Sequence, residues 1–212
     1  MVETVLFDFD GVVIDSEPLH VKTKAMALDA FGITYPPDLF DRFKGVPEKP
    51  FHLYVSENLD PQHRPYEIFL KKRHECLAEF LPEIKLVEGF SDFITEVKNR
   101  GIRTALVTSS KTFELDNIDK YLNVIHLFDT VVSAEATEQH KPHPAPYLKA
   151  LELMKVSGEN VIVIEDSPNG IISGRKAGCK VFALTTTFSE EELLTAGPSK
   201  IFKSYSQMKN EL

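Results

Sequence analysis

Five short apolar runs, rich in β-branched and aromatic residues, constrain this chain more than any other feature. They are residues 4–9 (TVLFDF), 103–108 (RTALVT), 130–133 (TVVS), 161–165 (VIVIE) and 180–184 (KVFAL). Near-continuous apolar runs of this length suit strands buried on both faces of a parallel sheet. Helical patterns separate the last four. Residues 89–100 precede the second run, with Gly101 suited to close that helix. Residues 112–122 and 145–155 supply the next two crossovers, and residues 168–177 the last. Ser167 followed by Pro168 reads as an N-cap with proline in the first turn. Ser189 followed three residues later by Glu192 reads as a capping box for a late helix. Strands alternating with helices predict an α/β fold with a doubly wound parallel sheet.

The first strand breaks this rhythm. About ninety residues separate it from the second, where a crossover needs roughly ten to twelve. Much of that stretch is helical by pattern, as in residues 19–31 and 66–80, with prolines at 36, 37, 47, 50, 61 and 65 dividing it. The expectation is a helical domain over residues 16–85 inserted into an α/β core formed by 1–15 and 86–212. A chain of 212 residues has room for one such core and a small insertion.

The net charge of −8 argues against nucleic acid or an anionic membrane as a partner. A metal or a lysine could still reverse the sign locally for an anionic substrate. Cys76 and Cys179 form no CxxC motif, which disfavours a disulfide framework or zinc site and points to a reducing cytoplasm. A signal peptide and a membrane span are not expected. The sequence is silent on oligomeric state, and a monomer is compatible with it.

The first run ends in Phe7-Asp8-Phe9-Asp10-Gly11-Val12. Residues two apart on a strand point the same way, so Asp8 and Asp10 should project together at the carboxyl end of the sheet, where α/β folds bind ligands. Two such carboxylates repel unless a cation lies between them, and Gly11 permits a sharp turn. Alone, the pair fits a solvated acidic turn equally well. The fourth run supplies a second pair, Glu165-Asp166, directly before the capped helix. Four carboxylates with no Cys/His cluster favour Mg²⁺ over zinc. The second run ends in Thr108-Ser109-Ser110, whose hydroxyls and amides can donate to phosphoryl oxygens. Lys141, in a stiff segment before Pro142, could neutralise both Asp8 and an incoming phosphate.

In this order the motifs resemble the haloacid dehalogenase superfamily of phosphotransferases. The residues that carry the resemblance are Asp8-Phe9-Asp10-Gly11-Val12, Val107-Thr108-Ser109-Ser110, Lys141-Pro142 and Ile164-Glu165-Asp166-Ser167. It spans essentially the whole chain and is strongest with the branch of β-phosphoglucomutases, phosphoglycolate phosphatases and small sugar-phosphate phosphatases. It implies a Rossmann-like core with a helical cap and a Mg²⁺-dependent phosphatase acting on a small phosphate monoester. Asp8 would be the nucleophile and Asp10 the acid and base. Asp8, the Asp10 carbonyl and Asp166 would hold the metal, with Glu165 near it. Thr108, Ser109, Ser110 and Lys141 would hold the phosphate, with Gly11 beside them.

Cap contacts implied by the same resemblance are Glu17, His20, Lys44, Gly45 and Lys72. A histidine on an amphipathic helix is more often structural, which applies to His20. His140 and His143 read as loop residues. One position departs from the mutase pattern: Glu48 stands where an arginine would grip a distal phosphate. This favours a hydrolase over a mutase, although Lys49 could compensate. A non-catalytic binding module is the third reading, and the retained Asp8, Asp10, Lys141 and Asp166 oppose it. Dehalogenation is disfavoured because it needs no acid at Asp10.

Overall fold

The computed structural model describes residues 2–44, 46 and 48–211. The strands are β1 (Thr4–Phe7), β2 (Ile14–Asp15), β3 (Lys85–Leu86), β4 (Arg103–Val107), β5 (Thr130–Val132), β6 (Val161–Glu165), β7 (Lys180–Leu184) and β8 (Lys200–Phe202). The helices are α1 (Glu17–Ala30), α2 (Leu39–Arg42), α3 (Glu48–Asn58), α4 (Tyr66–Phe80), α5 (Phe90–Asn99), α6 (Thr112–Leu122), α7 (Ala145–Met154), α8 (Pro168–Lys176), α9 (Glu190–Leu194) and α10 (Tyr205–Met208). They divide into two compact units, Met1–Asp15 with Lys85–Leu212, and Ser16–Ile84. Among the described residues, no helix is long and apolar enough to cross a membrane.

In the first unit six parallel strands form one sheet in the order β5-β4-β1-β6-β7-β8. The five apolar runs supply its first five strands. β8 (KIF) is a sixth, whose leading lysine leaves only two apolar residues and no run to read. β2 and β3 pair antiparallel as a separate two-stranded ribbon. Alternation along β1 builds a core on each face of the sheet. Phe7 packs edge-on against Phe90, Phe93 and Phe128. Tyr205 of α10 joins that cluster and donates its hydroxyl to Val12 O at 2.8 Å. Leu6 belongs to the other core, with Val163, Val181 and residues of α7 and α8. Each fully buried phenylalanine or leucine contributes about 1.5–3 kcal/mol.

The ends of the core helices follow local chemistry. Gly89 and Gly101 take positive φ on either side of α5, a conformation glycine adopts without steric cost. The Ser167 hydroxyl accepts from Gly170 N at 3.1 Å and caps α8. Ser189 and Glu192 form the reciprocal capping box of α9. His143 is structural, since its Nδ1 accepts from Ala145 N at the start of α7.

The second unit is helical. Ala27, Leu28, Leu39, Phe51, Val55 and Phe69 form its core. The residue pattern breaks the chain at Pro50, but α3 continues through it. Pro50 falls in the first turn of α3, where a missing N–H costs no helical bond. Arg73 is buried here, donating to Glu48 Oε2 at 2.6 Å and to His20 Nδ1 at 2.7 Å.

Candidate active site

The sheet order reverses at β1. On one side the chain runs out through β4 to β5, and on the other through β6 and β7 to β8. A reversal of this kind opens a crevice at the carboxyl ends of the central strands. Asp8 follows β1, Thr108 follows β4, and Glu165 and Asp166 end and follow β6. Asp8 N donates to Ile164 O at 3.0 Å and Thr108 N to Val132 O at 3.0 Å, so the sheet bonding extends one residue into the site.

Lys141 ties these ends together. Its ammonium donates to Asp8 Oδ1 at 2.6 Å, Glu165 Oε1 at 2.7 Å and Val107 O at 3.0 Å, which uses all three protons. The Lys141–Pro142 peptide bond is cis. Burial pulls the Lys141 pKa down, but the Asp8 and Glu165 carboxylates outweigh it and hold it above the ordinary lysine range. Asp8 moves the other way. Burial raises its pKa to about 7, with Glu165 and Asp10 adding to the rise and Lys141 opposing it. Burial, then Asp8 and Glu165, raise Asp166 well above the usual range.

Glu165 is fully buried and saturated. Oε1 accepts from Lys141 and from the Tyr147 hydroxyl at 2.8 Å. Oε2 accepts from Asp166 N, Ser167 N and Ser167 Oγ at 3.1–3.3 Å. A methyl placed on Gly170 would lie 1.7 Å from Glu165 Oε1 and 2.2 Å from Oε2. Alanine in a helix interior gains about 1 kcal/mol over glycine. Displacing a buried, paired carboxylate costs about 3–5 kcal/mol, so the clash wins. Gly170→Ala is expected to lower stability by about 2 kcal/mol or more in urea unfolding. A midpoint at or above wild type would show that Glu165 moves aside freely.

Carboxylate oxygens of Asp8, Glu165 and Asp166 lie within 4.8 Å of one another, and all three residues are buried. With Asp10 they set four acidic groups against one ammonium. An all-oxygen donor set with excess negative charge fits a hard divalent cation. Asp8 and Asp166 are the members with coordination capacity to spare, because the oxygens of Glu165 are already engaged.

A family model described as Haloacid dehalogenase-like hydrolase matches residues 5–184. The chain belongs to this family. It is 31% identical over 204 residues to the Phosphorylated carbohydrates phosphatase of Thermotoga maritima, covering 95% of this chain and 94% of that one. It is 27% identical over 198 residues to the pyrophosphatase PpaX of Bacillus cereus, covering 92% and 88%. A solved Thermotoga maritima structure with the provisional name beta-phosphoglucomutase superposes with a TM-score of 0.85 at 30% identity, over 99% of this chain and 98% of that one. Within the haloacid dehalogenase-like hydrolases the enzyme class of this chain is phosphatase.

In this hydrolase the first unit brings together Asp8, Asp10, Gly11, Thr108, Ser110, Lys141, Glu165 and Asp166. Asp8 and Asp10 do not share a strand, because β1 stops at Phe7 and the chain turns at Gly11 with φ +70°. Asp8 faces Lys141, while Asp10 Oδ2 accepts from Ser110 Oγ at 3.1 Å. The Asp10 carboxylate stands outside the cluster of Asp8, Glu165 and Asp166. Thr108 Oγ1 accepts from Ser110 N at 2.9 Å, leaving its own proton available to a ligand. Ser109 is exposed at the same strand end. Glu17, His20, Lys44 and Lys72 belong to the helical unit. Lys72 is paired with Glu75 at 3.2 Å, and His20 with Arg73. Gly45 lies outside the described residues.

Three features escape a reading of the sequence. Tyr147 sits in the first turn of α7 with no motif to mark it. Gly170 offers only a hint, as an unfavourable residue inside a helix. Thr186 and Thr187 follow β7; Thr186 bonds to the Gly11 carbonyl, and Thr187 lies beside Asp166. Their position beyond the carboxyl end of a parallel strand is the signal that could have found them.

Proposed function

We propose that this phosphatase hydrolyses a small phosphate monoester of the sugar-phosphate type, depends on Mg²⁺, and works through an aspartyl phosphate on Asp8. The observation that carries the reading is the Asp8 carboxylate held at 2.6 Å by the buried Lys141 ammonium, beside two further acidic side chains. Asp8 and Asp166 would hold the ion with the Asp10 main-chain carbonyl, and Glu165 would add charge. When bound, the ion supplies electrostatic neutralisation of the phosphate and the nucleophile.

The Asp8 carboxylate attacks phosphorus, forming a P–O bond as the P–O bond to the ester oxygen breaks. Asp10 gives its proton to the departing oxygen. It then takes a proton from the water that attacks the same phosphorus, and the carboxylate of Asp8 is restored. Ser110 Oγ, at 3.1 Å from Asp10 Oδ2, holds Asp10 during both transfers. Thr108 donates to an equatorial oxygen, and the Lys141 ammonium, whose protons are held by Asp8, Val107 O and Glu165, offsets the phosphate charge electrostatically. Residues 16–85 form the cap in this reading and choose the substrate, with Glu17, His20, Lys44 and Lys72 as contact residues. The relative named for phosphorylated carbohydrates supports a sugar moiety.

The test is phosphate release from a panel of sugar phosphates, phosphoglycolate and pyrophosphate, with Mg²⁺ and with chelator. Release without Mg²⁺ at the full rate would sink the metal dependence. A second prediction concerns protons. Asp8 titrates near pH 7 in the metal-free protein, and a cation binds its ionised form. Mg²⁺ affinity is therefore expected to climb as pH rises from about 5 through about 7, with protons released on binding. Calorimetry in buffers of different ionisation enthalpy measures this, and a pH-independent affinity between pH 5 and 8 would contradict it.

A sugar-phosphate mutase is the second reading. Glu48 would repel a distal phosphate, but Arg73 meets its charge at 2.6 Å, which weakens that objection. The 30% identical structure provisionally named for the mutase points the same way. Isomerisation of a hexose 1-phosphate without net phosphate release would establish it.

A further inference from the structure

The segment beyond β7 carries two adjacent hydroxyls that reach two different parts of the site. Thr186 Oγ1 donates to the Gly11 carbonyl at 2.5 Å. The buried Thr187 hydroxyl lies beside the Asp166 carboxylate and acts to lower its pKa. The two contacts converge on one spot. A methyl placed on Gly11 would lie 1.8 Å from Asp166 Oδ2 and 2.7 Å from Thr187 Oγ1, so both oxygens meet over the bare Cα of Gly11. The other side of Gly11 is also held, because its N–H donates to Ile14 O at 2.8 Å. That N–H shares a peptide plane with the Asp10 carbonyl. The hydrogen bonds to Ile14 and Thr186 thus orient the turn, and the Thr187 hydroxyl stands against Asp166 on the same spot.

We infer that Thr186 and Thr187 form a clasp that positions the metal-binding oxygens, with Thr187 setting the rotamer of Asp166 and Thr186 the turn at Gly11. They are positioning residues, acting through Asp166 and the Asp10–Gly11 turn. The inference rests on the proposed reading of Asp166 as a metal ligand. The physical logic is that a ligand carboxylate with a free χ angle must be ordered when the ion binds. A hydroxyl that already holds it removes that cost. A purely structural threonine would be replaced by valine without effect on the ion, since the two side chains have the same shape.

The experiment is a calorimetric Mg²⁺ titration of the metal-free full-length protein, its Thr187→Val, Thr187→Ser and Asp166→Asn variants, each with a thermal melt in chelator. Thr187→Val is expected to weaken Mg²⁺ binding about 10-fold, and Thr187→Ser to stay within about 2-fold of wild type. Asp166→Asn should abolish binding. Wild-type affinity in Thr187→Val, with binding lost in Asp166→Asn, would overturn the clasp and leave the metal reading standing. Wild-type affinity in Asp166→Asn would overturn the metal reading and the clasp with it. Weakening in both Thr187→Val and Thr187→Ser would overturn the hydroxyl as the cause. If the valine variant melts below the titration temperature, Thr187→Ala takes its place under the same criteria.

Discussion

Asp8→Asn is expected to reduce phosphate release by about 10⁴-fold or more while the protein stays folded. Asparagine has nearly the shape of aspartate but no anionic oxygen to attack phosphorus. The substitution also leaves Asp10, Thr108 and the Lys141 ammonium in place, so substrate binding should survive where turnover does not. Lys141 keeps Glu165 and Val107 O as acceptors, which protects the fold. The measurement is single-turnover phosphate release on the most active ester of the panel, beside a thermal melt. A loss of less than about 10-fold with an intact melt would remove Asp8 from the nucleophile's role.

Lys141→Met should damage both stability and activity. The ammonium satisfies two buried carboxylates and a carbonyl through three hydrogen bonds. Removing one partner of a buried ion pair costs about 3–5 kcal/mol, because the remaining charge is left without compensation. The sign with pH follows from Asp8, whose folded pKa of about 7 already lies above its unfolded value of 3.8. Without Lys141 its main opposing charge is gone and the pKa rises further. The folded variant then holds a proton that the unfolded chain releases. Up to about pH 7 folded wild type carries the same proton, so the deficit stays level there; it widens as pH climbs above about 7, where Asp8 ionises in wild type and not in the variant. Urea unfolding in chelator at pH 5 and pH 8 measures this. A deficit equal at both values, or larger at pH 5, would refute the account. Added Mg²⁺ should recover part of the stability at pH 8, since the ion replaces a missing positive charge.

The two expectations share a cause that also explains what could be read in advance. Asp8, Asp10, Thr108, Glu165 and Asp166 were legible because each stands at or near the end of an apolar run, and such ends face the ligand side of a parallel sheet; Lys141, in the loop after the third run, was marked instead by its place before Pro142. The same logic missed Thr186 and Thr187, which occupy an equivalent position after β7 but bear no charge to draw attention. Tyr147 and Gly170 were illegible for another reason. Their importance lies in the volume and bonding around the Glu165 carboxylate, and neither quantity has a sequence period. Asp8 and Asp10 show the limit most directly. Alternation on a strand puts them side by side, but the turn at Gly11 begins before the second, and they meet different partners.

The sequence by itself determined the alternation of strands and helices, the place of the insertion, and the identity of the acidic, hydroxyl and ammonium groups at the site. These follow from local periodicity, capping and residue chemistry, all of which act over a few neighbouring positions. Only the tertiary structure decided the strand order that sets β1 between β4 and β6, and with it which side chains meet. Contacts across 133 residues, as between Asp8 and Lys141, depend on how whole strands stack. The pairing of Glu48 with Arg73 is of the same kind, since 25 residues separate them and no short-range pattern records the helix packing that joins them.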